Sequence, residues 1–351
     1  MNQLCKEATQ FLKKLIATPS FSEQESETAD LIQEYLQGKG ITVNRHLNNI
    51  WATNQHFDEQ KDTILLNSHH DTVKPNSSYT NDPFSPNTKD GKLFGLGSND
   101  AGGSLVSLMA TFIHFHKQEN LNYNLLFAAT AEEEISGDNG ITSILAQLPD
   151  IDCAIVGEPT QMQMAVAEKG LMVLDCLAKG ESGHAARDEG KNAIYMAAGD
   201  IEWIQFYQFD KKSELLGSIN MTPSIIQGGS KHNVVPDRCS FTVDVRTTDA
   251  YTNGETLAII QDHLVSEATP RSTRLQPSFI AETHPIVKAG NKLGLQCFGS
   301  PTLSDQALLS VPSLKMGPGK SARSHTADEF IYLKEIEEGI EIYINLLGNI
   351  L

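Results

Sequence analysis

The 351-residue chain has no CxxC pair, and its five cysteines (Cys5, Cys153, Cys176, Cys239, Cys297) are odd in number and scattered. That excludes a disulfide frame and a thiolate metal site, and fits reduced, mostly buried thiols in a cytoplasm. Cations are scarce: 27 Lys and Arg stand against 44 Asp and Glu, a net charge of −17. With neither a basic patch nor a basic amphipathic helix, nucleic acid and anionic membrane surfaces are excluded as partners. No apolar run is long enough to span a bilayer. Near the N-terminus, Leu4, Ala8, Phe11, Leu12, Leu15 and Ile16 make one helix face, not the continuous apolar stretch of a signal peptide. A cytoplasmic protein is expected. There is no internal repeat and no low-complexity tract.

The length predicts two domains. After the first helix and Pro19, Ser22-Glu23-Gln24-Glu25 reads as a capping box for a second helix, which Gly38 and Gly40 stop. ITVNRH and NIWATN read as short strands. KDTILLNS (61–68), NLLFAAT (124–130) and CAIVG (153–157) are apolar runs of the kind that fill a parallel sheet. The first delivers His69, His70 and Asp71, the second Glu132, Glu133 and Glu134, the third Glu158. Between the first two lies FGLGSNDAGG, a glycine-rich loop that carries Asp100 to the mouth of a helix. The loop 74–91, rich in Pro, Asn, Ser and Asp, is too long for a mere connector. A helix is expected near 141–148. From about residue 163 the pattern changes to alternating strands (165–179, 240–245, and near 274–279) around helices at 192–206 and 254–267, an α+β insertion. After residue 280 the α/β character resumes, with a helix from Pro285, the strand SLKMG, the loop 318–325 and a closing helix from Ala327. The expected fold is therefore α/β, a mixed, mostly parallel sheet flanked by helices, formed by residues 1–162 and 280–351. Residues 163–279 form a second domain.

In an open α/β sheet, ligands bind outside the carboxyl ends of the strands, so these clusters should face one crevice. Histidines and carboxylates without thiolates are the ligand set of hydrolytic zinc and related divalent metal sites. Asp71, at i+2 from His69 in extended chain, lies on the same side and can accept its second ring N–H, while His70 points the other way. Taken singly each cluster has a plainer reading: Asp100 as a helix cap, Glu132–Glu134 as a solvated turn, Glu158 and His325 as loop residues. Their joint occurrence at the strand ends of one sheet is what points to a metal centre.

SHHDTV, FGLGSNDAGG, ATAEEE with Gly137, VGEPT, EKG, GESGHAA, NVVPDRCSFTVDVR and GPGKSARSHTADE occur in this order. Together they resemble, nearly end to end, the dinuclear zinc aminoacylases and carboxypeptidases, among them acetylornithine and acetyl-lysine deacetylases, succinyl-diaminopimelate desuccinylase and the glutamate carboxypeptidases. The resemblance implies that His69, Asp100 and Glu158 hold one metal ion and Asp100, Glu134 and His325 the other, with Asp100 shared. It implies that Asp71 orients His69, and that Glu133 is the general base that takes the proton of the attacking water and passes it to the leaving amine. A cis peptide is implied at Asp100-Ala101. His184 matches the histidine that the smaller domain, often of a neighbouring subunit, contributes to catalysis; Asn233 and Arg246 match substrate-facing positions, Arg246 being suited either to a substrate carboxylate or to a structural ion pair. The second domain would then be a lid that also forms a homodimer. The two ions are read as zinc, with cobalt or manganese as alternatives.

SPTLSDQAL (300–308) has Gln306-Ala307 where the succinyl-diaminopimelate desuccinylases carry Gly-Arg after Ser-Asp, while GPGKSARSHTADE is similar to the acetylornithine and acetyl-lysine deacetylase pattern. The sequence thus favours removal of an N-acyl group, acetyl first, from the α-nitrogen of a small-molecule substrate such as ornithine, citrulline or lysine, in arginine or lysine biosynthesis. A succinyl group is the variant, with Lys320 or Arg323 as counter-charge. A di- or tripeptidase is the rival enzyme, and an inactive metal-binding homologue the rival of another class.

Overall fold

The computed structural model describes residues 3–187 and 189–351. The chain divides into two compact units, one of Met1–Val166, Phe279–Phe298 and Ser304–Leu351, the other of Ala167–Ser278 with Gly299–Leu303.

In the larger unit the central strands lie in the order Asn44–His46, Asn49–Thr53, Asn124–Thr130, Thr63–His69, Cys153–Val156, Ser313–Lys315, Met164–Glu168. Thr63–His69 pairs in parallel with both neighbours, and Ser313–Lys315 runs parallel to Cys153–Val156. The outer pairs are antiparallel. Every residue of the three middle strands is buried, because both faces are covered. Ile64, Leu66, Leu125, Phe127 and Ala129 face a core shared with the helices Gln3–Ile16, Gly103–Phe115 and Leu333–Gly348. The alternate residues Leu65, Leu126 and Ala128 face a second core with Ile141 and Ile144. No helix is long and apolar enough to cross a membrane, among the described residues, and all five cysteines are free.

Three local expectations change. Ser22–Glu25 caps nothing: the helix Ser26–Gly38 starts after Glu25 without a side-chain cap, because Ser22 donates to Asp71 and Glu25 accepts from the Glu23 amide and Asn48. The segment 141–148 forms two short 3-10 turns, Ile141–Ser143 and Leu145–Gln147; Gly140 precedes them, in a place where a Cβ would lie 2.5 Å from the Ala131 carbonyl. The closing helix starts at Leu333, not Ala327. Residues 330–332 are taken instead by a strand that pairs with Lys92–Phe94, which also pairs with Asn87–Lys89 in the long loop.

The smaller unit is a four-stranded antiparallel sheet in the order Asn220–Gly228, Arg238–Thr247, Gly170–Lys179, Glu267–Pro270. The helices Ala193–Phe206 and Asn253–His263 flank it, the first capped by Asn192, the second by a Thr252–Glu255 box. Gly170–Lys179 alternates buried and half-exposed residues, the period expected of a sheet covered on one face. Its core is separate: Met172, Leu174, Cys176, Phe241 and Val243 pack with Ala197 and Ile204. The strand near 274–279 is reduced to Ser278–Phe279.

Candidate metal centre

The carboxyl ends of Thr63–His69, Asn124–Thr130 and Cys153–Val156 converge, and the ligand candidates meet there. His69 is buried at the last position of its strand. Its Nε2 makes no hydrogen bond, yet lies 3.5 Å from Asp100 Oδ1, 3.7 Å from Glu158 Oε1 and 3.9 Å from Glu133 Oε2. On the other side, His325 Nε2 lies 2.9 Å from Glu134 Oε2 and 3.6 Å from Asp100 Oδ2. Asp100 therefore turns one oxygen to each histidine. Donors about 2.0–2.2 Å from a tetrahedral ion stand roughly 3.3–3.5 Å apart, close to these spacings. An orphaned, buried imidazole nitrogen among carboxylates is a setting that a divalent cation satisfies. Among the described residues, His69, Asp100 and Glu134, and likewise His69, Glu133 and Glu158, have donor atoms mutually within 4.8 Å. These groupings differ from the expected triads by bringing Glu133 and Glu134 beside His69.

The electrostatics agree. Burial would lower the His69 pKa, but the carboxylates of Glu133, Asp100, Asp71 and Glu158 raise it well above its ordinary value. Burial, with Asp100 and Glu134 adding repulsion, pushes Glu158 up to about 8. Glu133 is likewise raised by burial and by Glu158, Asp305 and Glu134. The hydrogen bond with Glu134 takes His325 up to about 9. Such a pocket of acids holds a deficit of positive charge, which a bound cation relieves.

The loop that presents Asp100 depends on glycine. Gly97 has φ +73°, and a Cβ on Gly102 would lie 2.4 Å from the Gly97 carbonyl. The Asp100-Ala101 peptide is cis, and the helix Gly103–Phe115 has no side-chain cap, so Asp100 does not serve as one.

Asp71 is fully buried, and its part is wider than the sequence suggested. The nearer partner of His69 Nδ1 is the Asp71 main-chain carbonyl at 3.0 Å, the carboxylate standing at 3.4 Å. That carboxylate accepts from Ser22 Oγ at 2.7 Å and from the amides of Glu133 and Glu134 at 3.1 and 3.2 Å. It thereby ties the Glu133–Glu134 turn to the strand that carries His69. His70 points away, bonded to Thr28 and the Asn48 carbonyl, and burial lowers it to about 4, a neutral structural imidazole. Glu132 is no ligand candidate either: it accepts from the Asn139 amide and side chain, and fills the space that a Cβ on Gly137 would need, 2.0 Å from Glu132 Oε2.

Arg323 is not placed as a counter-charge for a succinyl group, because its guanidinium is bound by both oxygens of Glu335 at 2.6 and 2.9 Å and lies over Phe330. Lys320 is exposed, and its amide donates to Asn99. In the smaller unit, His184 and Asn233 are exposed and adjacent, the Ala185 amide donating to the Asn233 carbonyl at 3.2 Å. Arg246 is held by both oxygens of Asp244 at 2.8 and 3.1 Å, an ion pair of the structural kind that was one of its two expected roles.

Sequence reasoning missed several supports. Ser22 carried no signal, since its partner is 49 residues away. Asp305 is buried and accepts from Asn67 and Thr130 at 2.8 and 2.7 Å, yet in the sequence it stands out only as the neighbour of Gln306-Ala307. Glu329 closes the GPGKSARSHTADE segment, and the only signal the sequence offers for it is its position directly before an apolar strand.

The pattern of peptidase family M20/M25/M40 matches residues 65–349, and the chain belongs to that family. Its fold is similar to that of aminopeptidase PepT from Bacillus cereus (TM-score 0.76, 17% identity, covering 99% of this chain and 98% of that one). A tripeptidase from Staphylococcus aureus is similar too (TM-score 0.76, 20% identity, 98% and 97% covered). So is YXEP of Bacillus subtilis, described as a dinuclear metal-binding peptidase (TM-score 0.72, 17% identity, 98% and 97% covered).

Proposed function

We propose that the protein is a two-metal amidohydrolase that removes a small N-acyl group, acetyl first, from the α-nitrogen of an amino acid such as ornithine, citrulline or lysine. The observation that carries the two-metal part is Asp100, whose two carboxylate oxygens face His69 and His325. His69, Asp100 and Glu158 would hold one ion and Asp100, Glu134 and His325 the other. Imidazole and carboxylate donors suit zinc first, then cobalt or manganese. When bound, such ions lower the pKa of a water and polarise the scissile carbonyl. Glu133 takes the proton from the attacking water and returns it to the leaving amine; its raised pKa suits a group that must hold a proton between two steps. Asp71, which accepts from the amides of Glu133 and Glu134, holds the turn that carries this base. His184 is assigned to the tetrahedral intermediate, Asn233 and Arg246 to the substrate, and the smaller unit to lid closure and a homodimer.

The acyl-amino-acid reading rests on the GPGKSARSHTADE segment and on Gln306-Ala307. A second reading, a di- or tripeptidase, is favoured by the names of the proteins with similar folds. Release of free amine from N-acetylornithine, N-acetylcitrulline, N-acetyl-lysine, N-succinylcitrulline, succinyl-diaminopimelate and several dipeptides, with chelated and metal-restored protein, decides between them. Metal-dependent turnover of an acylated amino acid supports the proposal, and turnover of dipeptides alone replaces it with the second reading. Bound metal without any turnover leaves an inactive homologue.

A further inference from the structure

We infer that Glu329 is a positioning residue that couples Asp100 to His325, so that the two histidines keep a shared carboxylate between them. The inference rests on the two-metal reading above. Glu329 is 2% exposed, and no Lys or Arg pairs with it among the described residues. A carboxylate buried without a cation must be satisfied by hydrogen bonds, and all of its donors here are main-chain amides of the Asp100 loop. Asn99 and Asp100 donate to Oε1 at 2.7 and 2.9 Å, and Gly97 donates to Oε2 at 3.2 Å. One of the three amides is that of Asp100 itself, so the bracket acts on the residue that would bridge the ions. A neutral amide cannot replace it, since a glutamine has one acceptor oxygen and would turn its NH2 toward another N–H.

The sheet register fixes this contact. Phe330 pairs with Phe94, and the Gly95 amide donates to the Glu329 carbonyl at 3.0 Å, which sets the side chain against the loop that continues from Gly95. His325 lies four residues upstream on the same segment, and the turn between them is also fastened. Asp328 accepts from the amides of Thr80 and Asn81 at 3.0 and 2.9 Å and from the Thr80 hydroxyl. One short stretch therefore carries a ligand candidate, a latch to the long loop and the bracket on Asp100. This arrangement explains how the 3.6 Å spacing of His325 Nε2 and Asp100 Oδ2 is held between segments more than 220 residues apart in sequence.

The test is a Co²⁺ titration of the full chain, wild type and Glu329→Gln, followed by calorimetry and by the visible absorption of the bound ion. Outer partners of metal ligands are worth about 10–100-fold in affinity. The expected result is therefore two ions on the wild type, and on Glu329→Gln binding weakened by about that factor, since both ions would share Asp100, with an altered spectrum. Two ions bound by Glu329→Gln with wild-type affinities and spectrum overturn the inference and leave the two-metal reading standing. A wild type that binds only one ion overturns that reading, and the inference with it. A measurement on the wild type alone covers a variant that fails to fold. In metal-free protein the amides of Gly97, Asn99 and Asp100 should exchange slowly with deuterium, and exchange as fast as in an exposed loop overturns the bracket.

Discussion

Asp71→Asn is the change that tests most of the reasoning about how the site is held. Both oxygens of Asp71 act as acceptors: Oδ1 takes the Glu133 amide, Oδ2 takes the Glu134 amide and the Ser22 hydroxyl. Whichever way an asparagine is turned, its NH2 faces one of those amides. The loss combines a hydrogen bond to a charged group, about 1.5–3 kcal/mol, with a buried N–H left unpaired, about 1–3 kcal/mol. A total near 3–4 kcal/mol, falling on the placement of Glu133, corresponds to about two to three orders of magnitude in kcat. KM should change little, because Asp71 has no exposed surface with which to touch a substrate. Ser22→Ala removes one donor and leaves the carboxylate with two. Ser22 is only half-buried, so water can replace its hydroxyl, and the cost is about 1 kcal/mol, roughly fivefold in kcat. The assay is steady-state kinetics on the substrate that the panel identifies, with metal content measured on each variant. An Asp71→Asn protein with nearly wild-type kcat would refute this account of the turn, as would a Ser22→Ala protein that is the worse of the two.

Glu133→Gln should keep both metal ions and the fold yet lose about 10²–10⁴-fold in kcat, the range for removing a general base; metal analysis beside turnover checks this. Arg323→Ala should lower stability by about 1–2 kcal/mol in urea unfolding, through loss of the part-buried Glu335 pair and its aromatic packing. It should leave the KM for anionic acyl groups unchanged. The pH dependence follows from His325 and Glu158, raised to about 9 and about 8. For His325 the sign is fixed: its contribution to the metal-free protein is full below the ordinary value of 6.5 and is lost as pH rises through about 9. Glu158, whose neutral form is favoured in the fold, pulls the same way. Metal affinity should rise over that window, since these protons leave before an ion binds. Titrations at steps between pH 6 and 9 that show affinity flat or falling would remove this reading of the pocket.

The sheet and the convergence of the candidate ligands at its strand ends were legible because both depend on local pattern. A fully buried parallel strand needs an unbroken apolar run, and KDTILLNS, NLLFAAT and CAIVG supply it; the polar residue that ends each run is then delivered to the strand's carboxyl end. What could not be read is which distant backbone each polar side chain satisfies. Ser22–Glu25 has the letters of a helix cap, and only the fold brings Asp71 and Asn48 close enough to claim those side chains. Nor could the sequence tell that Asp71 would spend its carboxylate on two amides of the Glu133 turn while its carbonyl took the His69 ring. Glu329 shows why such residues escape. Its partners are three main-chain N–H groups, which leave no complementary side chain to find along the sequence. The candidate ligands lie in sequence motifs because metal chemistry prescribes their types. The groups that hold those ligands are prescribed only by geometry, and many different side chains could have met the same need.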